Sequence, residues 1–247
     1  MINFSEACER NKNPIAEQLV KQFTNCKSVI EIGSGSGQHA LHFANALPHL
    51  TWQATDLEPY FGALEFNLNS GPDNLRPPQQ LNLDSDVWLP ENDFDGLFSA
   101  NTLHIMAWPQ VEAFFVRSGK QLKQAARMCI YGPFNYNGEY SSPSNAEFDV
   151  WLASRGEGSA IRDIEKVTEH AELNGFKLID DIKMPANNQL LCFDKVTWFL
   201  LGNNGRKFYV TPALTHQKNV LDPHVFSHGI FIRRLDGAAQ QLRCRAS

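Results

Sequence analysis

From Ser28 onward, apolar and polar positions alternate between two periods. Ser28–Ile32 is a short run rich in β-branched residues, Gln38–Leu47 is amphipathic at helical spacing, and Thr51–Thr55 is a second strand. Glu58–Asn69 reads as a helix with Pro59 in its first turn, where a missing N–H costs nothing. Strands are predicted at Gln80–Leu83, Gly96–Ala100 and Met128–Tyr131, with a helix over Gln110–Gln124 between the last two. Strands separated by helices are the signature of βαβ units and a parallel sheet.

After Tyr131 the pattern loosens through Gly132-Pro133-Phe134-Asn135-Tyr136-Asn137-Gly138. A helix follows near Ile161–Asn174, its end marked by Gly175. The apolar runs Phe176–Met184 and Gln189–Phe193 are joined only by Pro185-Ala186-Asn187-Asn188, too short for anything but antiparallel pairing. The predicted fold class is therefore α/β, a Rossmann-like doubly wound seven-stranded sheet, mostly parallel with a final antiparallel hairpin strand. That closure is the arrangement of class I methyltransferases and is not usual in dinucleotide dehydrogenases.

A chain of 247 residues is the length such a sheet needs as one catalytic domain. Met1–Arg10 lacks the basic start and apolar stretch of a signal peptide, and no segment reaches the roughly 18 apolar residues of a membrane span, so a cytoplasmic protein without membrane contact is expected. The five cysteines are odd in number and scattered, and are expected to be reduced thiols without a structural metal. The net charge of −5 is uneven: residues 1–195 hold 15 Lys/Arg against 25 Asp/Glu, residues 196–247 hold 7 against 2. An acidic body argues against nucleic acid as partner.

The chemistry concentrates at Val29-Ile30-Glu31-Ile32-Gly33-Ser34-Gly35-Ser36-Gly37. A strand, a glycine turn and a helix start bring backbone N–H groups close to a negatively charged ligand group. The turn alone does not choose a cofactor, because Gly35-Ser36-Gly37-Gln38-His39-Ala40 also fits a loose dinucleotide pattern. Glu31 does discriminate. A carboxylate there serves the ammonium end of a methionine moiety and gives a pyrophosphate nothing. Asp56, ending the second strand, suits ribose hydroxyls, with Leu57 beside it to pack on adenine; Asp84, read as ending the third strand, suits the adenine amino group. These positions, with Gly33, Ser34, Gly35 and Gly37, form the expected S-adenosyl-L-methionine site at the carboxyl edge of the sheet.

Five motifs in order resemble one family: Ala7-Cys8-Glu9-Arg10-Asn11-Lys12-Asn13-Pro14-Ile15, Glu31 to Ala40, Ala100-Asn101-Thr102-Leu103-His104-Ile105, Tyr131-Gly132-Pro133-Phe134 and Met184-Pro185-Ala186-Asn187-Asn188. The chain from about residue 5 to 195 is similar to the methyltransferase-like 26 family, a domain-of-unknown-function family. The resemblance implies a class I fold, S-adenosylmethionine as cofactor, and Arg10 and Asn11, before the Pro14 helix, folding back over it; it does not supply the acceptor. Residues 196–247 fall outside the match. They are read as a basic, weakly ordered extension, or else as a hairpin of Val196–Leu201 and Lys207–Thr211 around Gly202-Asn203-Asn204-Gly205.

Methyl transfer needs the acceptor atom held in line, and positioning alone is worth up to about 7–11 kcal/mol. His104 is the candidate base or orienting group, and Asn101 is placed to touch the methionine moiety or the acceptor. The Asp/Asn-Pro-Pro-aromatic motif of nucleic-acid amino methyltransferases is absent there. Tyr136–Asp163, polar and aromatic, is a candidate lid. A small molecule or protein side chain is the expected acceptor. The rival readings are a nicotinamide-dependent oxidoreductase and a protein that binds S-adenosylmethionine without turning it over.

Overall fold

Strand β1 (Ser28–Ile32) is buried along its whole length, and its side chains alternate between two cores. Val29 joins a cluster with Phe43, Trp52, Phe98 and Leu190; Ile30 and Ile32 join one with Phe114, Phe115, Phe134 and Phe193. Two-sided burial of this kind is what a parallel sheet covered by helices requires. The computed structural model describes residues 1–85, 93–155 and 158–200 and the strand segments 207–210, 231–233 and 239–241. The chain divides into two units, Met1–Lys195 and Val196–Ser247.

In the first unit, helix α1 (Glu6–Gln22) precedes β1. Then come α2 (Gln38–Ala46), β2 (Thr51–Asp56), α3 (Glu58–Leu68), β3 (Leu75–Gln80), β4 (Gly96–Ala100), α4 (Trp108–Gln121) and β5 (Arg127–Gly132). The short β6 (Phe134–Asn135) leads to α5 (Pro143–Ala153), β7 (Arg162–Asp163), α6 (Ile164–Leu173), β8 (Phe176–Met184) and β9 (Asn188–Lys195). The seven-stranded sheet has the order β3-β2-β1-β4-β5-β9-β8. Only β9 runs against its neighbours, pairing Cys129 with Cys192 on one side and Met184 with Asn188 on the other. The strand order reverses between β1 and β4, and open α/β sheets bind ligands at such a switch point.

Three expectations need correction. The third strand is Leu75–Gln80, not Gln80–Leu83. Pro77 and Pro78 hide it in the sequence, and they are tolerated because β3 is an edge strand with a register shift against β2, where Gln53 Nε2 donates to the Pro77 carbonyl at 2.8 Å. Leu81 and Leu83 still reach the core, but from the following loop. Arg10 and Asn11 do not precede the Pro14 helix. They lie within α1, which Ser5 caps by accepting from Cys8 N–H, and which continues through Pro14 at the loss of one backbone bond. Finally, the Tyr136–Asp163 segment contains helix α5, which apolar periodicity had not marked as an element.

In the second unit, β10 (Thr197–Leu200) pairs antiparallel with β11 (Lys207–Val210), and β12 (Phe231–Arg233) with β13 (Ala239–Gln241). Residues 201–206, including the Gly202–Gly205 turn read from sequence, and Cys244 lie outside the described residues. Among the described residues no helix is long and apolar enough to cross a membrane.

Helices α4 and α6 meet at Gly119, where an added Cβ would lie 2.5 Å from the Asn174 carbonyl oxygen. Alanine in mid-helix ordinarily gains about 1 kcal/mol over glycine. Gly119→Ala is predicted instead to destabilise by about 1–3 kcal/mol in urea unfolding, because the backbone must move apart; a stabilised variant would contradict this close approach.

Candidate functional site

At the end of β1, the alternation that sends Val29 into the first core sends Glu31 the same way. Its side chain is 1% exposed and accepts a hydrogen bond from Trp52 Nε1 at 3.0 Å. Among the described residues no lysine, arginine or histidine pairs with it. Burial pushes its carboxyl up to about 7, against hydrogen bonds from Trp52 and Ser34 that pull it down. Thr55 anchors the peptide behind it, its Oγ1 donating to the Glu31 carbonyl at 2.6 Å.

The turn that follows is built by backbone geometry. Gly33, Gly35 and Gly37 all have positive φ. A Cβ on Gly37 would lie 2.6 Å from the Leu68 side chain of α3, so only glycine lets the turn sit against that helix, whereas the corresponding side of Gly35 is open. Gly33 and Ser34 donate to the Thr55 carbonyl at 3.1 and 2.9 Å, and Ser34 Oγ accepts from Thr55 N–H at 3.1 Å. Asp56, at the end of β2, accepts from Gly35 N–H at 2.6 Å and Leu57 N–H at 2.7 Å. Burial raises its carboxyl above the ordinary value, and those two N–H groups oppose the rise. A carboxylate has about four lone-pair sites, so two stay open for hydroxyl donors. Leu57 caps α3 and is exposed.

Glu31, Gly33, Ser34, Gly35, Gly37, Asp56 and Leu57 thus converge. Asn101 and His104 join from the neighbouring β4 loop: Thr102 packs so close to Gly33 that a Cβ there would be 2.7 Å from its Oγ1. Asn101 holds a left-handed φ of 56° and donates its N–H to the Tyr131 carbonyl at 2.8 Å. Asn11 is buried, its Oδ1 2.7 Å from His39 Nε2, and its side chain also hydrogen-bonds the Tyr131 hydroxyl. It therefore braces α1 against α2 and β5. Arg10 is exposed on α1.

Asp84 stands apart from the expected row of strand-end acids. It is four residues past β3, exposed, and accepts from Gln110 Nε2 on α4 at 3.0 Å. The misplaced strand is the reason: an acid read as a strand end is a loop residue tied to a helix start.

His104 is buried, with Phe148 of α5 edge-on at 5.3 Å. Burial, and secondarily the charge of Arg162, lowers its imidazole to about 4. Sequence reasoning missed the device that holds this loop. Arg162 donates to the carbonyls of Leu103 (3.1 Å), Met106 and Gly158 (3.0 Å), while Ala160 N–H reaches the His104 carbonyl at 3.0 Å and Ser159 Oγ the Ile105 carbonyl at 2.7 Å. Asp149 accepts from Ile161 N–H at 2.6 Å and from the Tyr140 hydroxyl at 2.9 Å, tying α5 to the same strip. Trp52 was missed too, since a partner 21 positions from Glu31 leaves no local pattern. A groove of about 520 Å³ on the α4/α6 side, lined by Trp108, Arg162, Lys166 and His170, includes none of the predicted cofactor residues. Among the described residues no cluster of three His, Cys, Asp or Glu could hold a metal.

The model of a family described as "Protein of unknown function (DUF938)" matches residues 2–195. The chain belongs to that family. The match takes in every predicted site residue of the DUF938 domain, from Arg10 to His104, and stops at the end of β9. Solved structures share its fold at low identity. Human N-acetylserotonin methyltransferase in complex with SAM superimposes with a TM-score of 0.67 at 13% identity, over 77% of this chain and 53% of that one. An O-methyltransferase family protein from Burkholderia thailandensis gives 0.65 at 14%, over 77% and 57%. PigF with SAH gives 0.65 at 16%, over 76% and 56%. The chain spans little more than half the length of these methyltransferases. Its fold is the class I methyltransferase fold, as the sheet order and the reversed β9 indicate.

Glu31 makes the ligand-free protein pH-sensitive in a definite direction. A carboxyl at about 7 in the folded chain and 4.5 in the unfolded one lets the folded state bind the extra proton between those values, so its contribution to stability falls as pH rises through that window, by about 3 kcal/mol. His39 and His104, each lowered to about 4, act oppositely and add stability as pH rises toward 6.5. The Glu31 share is therefore the difference between wild type and Glu31→Gln in urea unfolding. Wild type is predicted to lose about 3 kcal/mol relative to the variant between pH 4.5 and 7; a pH-independent difference would rule out the raised carboxyl.

Proposed function

We propose that this DUF938 protein is an S-adenosyl-L-methionine-dependent methyltransferase of the methyltransferase-like 26 kind, acting on a small molecule or a protein side chain. The observation that carries the reading is Glu31: a carboxylate buried beside a glycine turn with no cation to match it among the described residues. An uncompensated buried charge is costly, and a ligand that brings an ammonium group removes that cost. The methionine end of S-adenosylmethionine carries one. A dinucleotide presents a pyrophosphate at the same place, and like charge there is unfavourable.

The residues fit the cofactor elsewhere as well. Open space beside Gly35 admits a ligand, and the two free acceptor sites of Asp56 suit ribose hydroxyls. Leu57 offers an exposed apolar side chain for the adenine ring. Asp84 remains available for the adenine amino group if Gln110 releases it. Bound there, the cofactor supplies an electrophilic methyl group on sulfonium.

On the acceptor side the β4 loop does the orienting. Its carbonyls are fixed by Arg162, Ser159 and Ala160, and its Asn101 is held in a left-handed conformation that few non-glycine residues adopt. His104 is neutral at pH 7, and an imidazole lowered to about 4 is a poor base for a hydroxyl. We assign it the orienting role, accepting a hydrogen bond from the acceptor. Phe148 and the exposed Trp151, stacked at 5.6 Å, give the α5 segment an aromatic face suited to selecting the acceptor.

Thermal unfolding with S-adenosylmethionine, S-adenosylhomocysteine and NAD(H) tests the cofactor. The two sulfur ligands are predicted to stabilise, by about 2.7 kcal/mol at a hundred times Kd, and NAD(H) not at all. Stabilisation by NAD(H) alone would overturn the reading. Labelled methyl donor with fractionated cytosol then tests turnover: a labelled product is expected, its formation lost in Glu31→Gln, and binding with no product in any fraction would leave a binding protein rather than an enzyme.

A further inference from the structure

Between Gly35 and Gly37, the two groups of Ser36 are both held by amide side chains. Asn67 of α3 donates its Nδ2 to the Ser36 carbonyl at 2.9 Å, and Gln38 at the start of α2 accepts from the Ser36 hydroxyl at 3.0 Å. Each amide has a second set of partners among residues 2–5. Asn67 Oδ1 accepts from Ile2 N–H and its Nδ2 donates to the Ile2 carbonyl, both at 2.8 Å. Gln38 Oε1 accepts from Ser5 N–H at 2.5 Å and its Nε2 donates to the Ser5 carbonyl at 3.2 Å. Two amides thus imitate the rungs of a β-ladder, pairing one side with residues 1–5 and the other with the cofactor turn.

Ser5 is held besides as the cap of α1, and little else holds residues 1–4. Met1, Ile2 and Phe4 are each about half exposed, so their side chains contribute little core burial. A segment tied by a few exposed hydrogen bonds belongs to the low-stability end of a fold and opens locally. The groups that tie it are the ones that hold the Ser36 carbonyl and hydroxyl, in the middle of the glycine turn. Closure of the segment and order of the turn are therefore one equilibrium seen from two ends, and coupling of that kind is reciprocal.

We propose that Met1–Ser5 is a strap that locks the glycine turn in its binding conformation, with Asn67 and Gln38 as positioning residues that carry the coupling. The inference rests on the proposed S-adenosylmethionine site. It follows that cofactor tightens the strap and the strap tightens cofactor. Ligand leaves faster when the strap is cut, because the Ser36 peptide then takes more than one arrangement beside the open face of Gly35.

The test uses S-adenosylhomocysteine as ligand, with wild type, a chain beginning at Ser5 so that the α1 cap is kept, and Asn67→Asp, which keeps an acceptor for Ile2 N–H but removes the donor to both the Ser36 and the Ile2 carbonyls. Calorimetry and stopped-flow release are expected to show Kd raised about tenfold in both variants, mainly through faster dissociation. The ligand-free melting temperature of the shortened chain is expected to match wild type, which separates positioning from a general loss of fold. In wild type, hydrogen exchange at Ile2 and Ser5 slows on ligand binding. Wild-type affinity and release rate in the shortened chain, or strap amides whose exchange ignores ligand, overturn the strap while leaving the cofactor site standing. Failure of wild type itself to bind removes the cofactor reading and this inference with it.

Discussion

The arrangement of this site depends on one costly choice, a carboxylate placed inside the sheet. Glu31 occupies a position that strand alternation directs into the hydrophobic face shared by Phe43, Trp52 and Phe98. Its neighbour Trp52 supplies a donor but not a charge. The fold thus keeps a carboxyl whose charge burial makes costly at the point where two halves of the sheet diverge, and in the proposed function a cationic ligand group relieves that cost. A structural role alone would be filled more cheaply by an apolar residue.

Around that charge the two sides of the site are built in different ways. The proposed cofactor side is mostly backbone: three glycines, the Thr55 carbonyl and paired N–H groups on Asp56. The proposed acceptor side is a loop whose carbonyls are held from behind by a buried arginine. Arg162 has no carboxylate within salt-bridge distance among the described residues, and its own charge is spread over three carbonyls and the Trp108 ring. Thr102 against Gly33 joins the two sides directly, so the position of the acceptor loop and the shape of the cofactor turn are set together.

The sheet, its direction and its closing hairpin were legible in the sequence because each rests on local rules: β-branched runs, helix periods and a connection too short for a crossover. What escaped had a tertiary cause. Strand β3 carries two prolines that only an edge position excuses, and reading it late set Asp84 in a row of strand-end acids when it lies in the loop beyond. The part of helix α1 before Pro14 was hidden by Asn11, Lys12 and Asn13, a polar run that is helical and whose Asn11 finds His39 and Tyr131 across the fold. The turn glycines could be read because positive φ demands them, and Glu31 and Asp56 because each lies at or near the end of a strand beside that turn. Trp52, Arg162 and the amides of Gln38 and Asn67 could not, since each acts on a partner distant in the chain or through a contact with no sequence period.

The central claim is that Glu31 waits for a ligand cation. Carbon-13 NMR titration of its carboxyl measures that directly, in the free protein and with saturating S-adenosylmethionine. The account predicts titration near 7 in the free protein and a return to the ordinary carboxylate range with ligand, as an ammonium group takes its place beside the charge. An ordinary value in the free protein, or a titration unmoved by bound ligand, would contradict it.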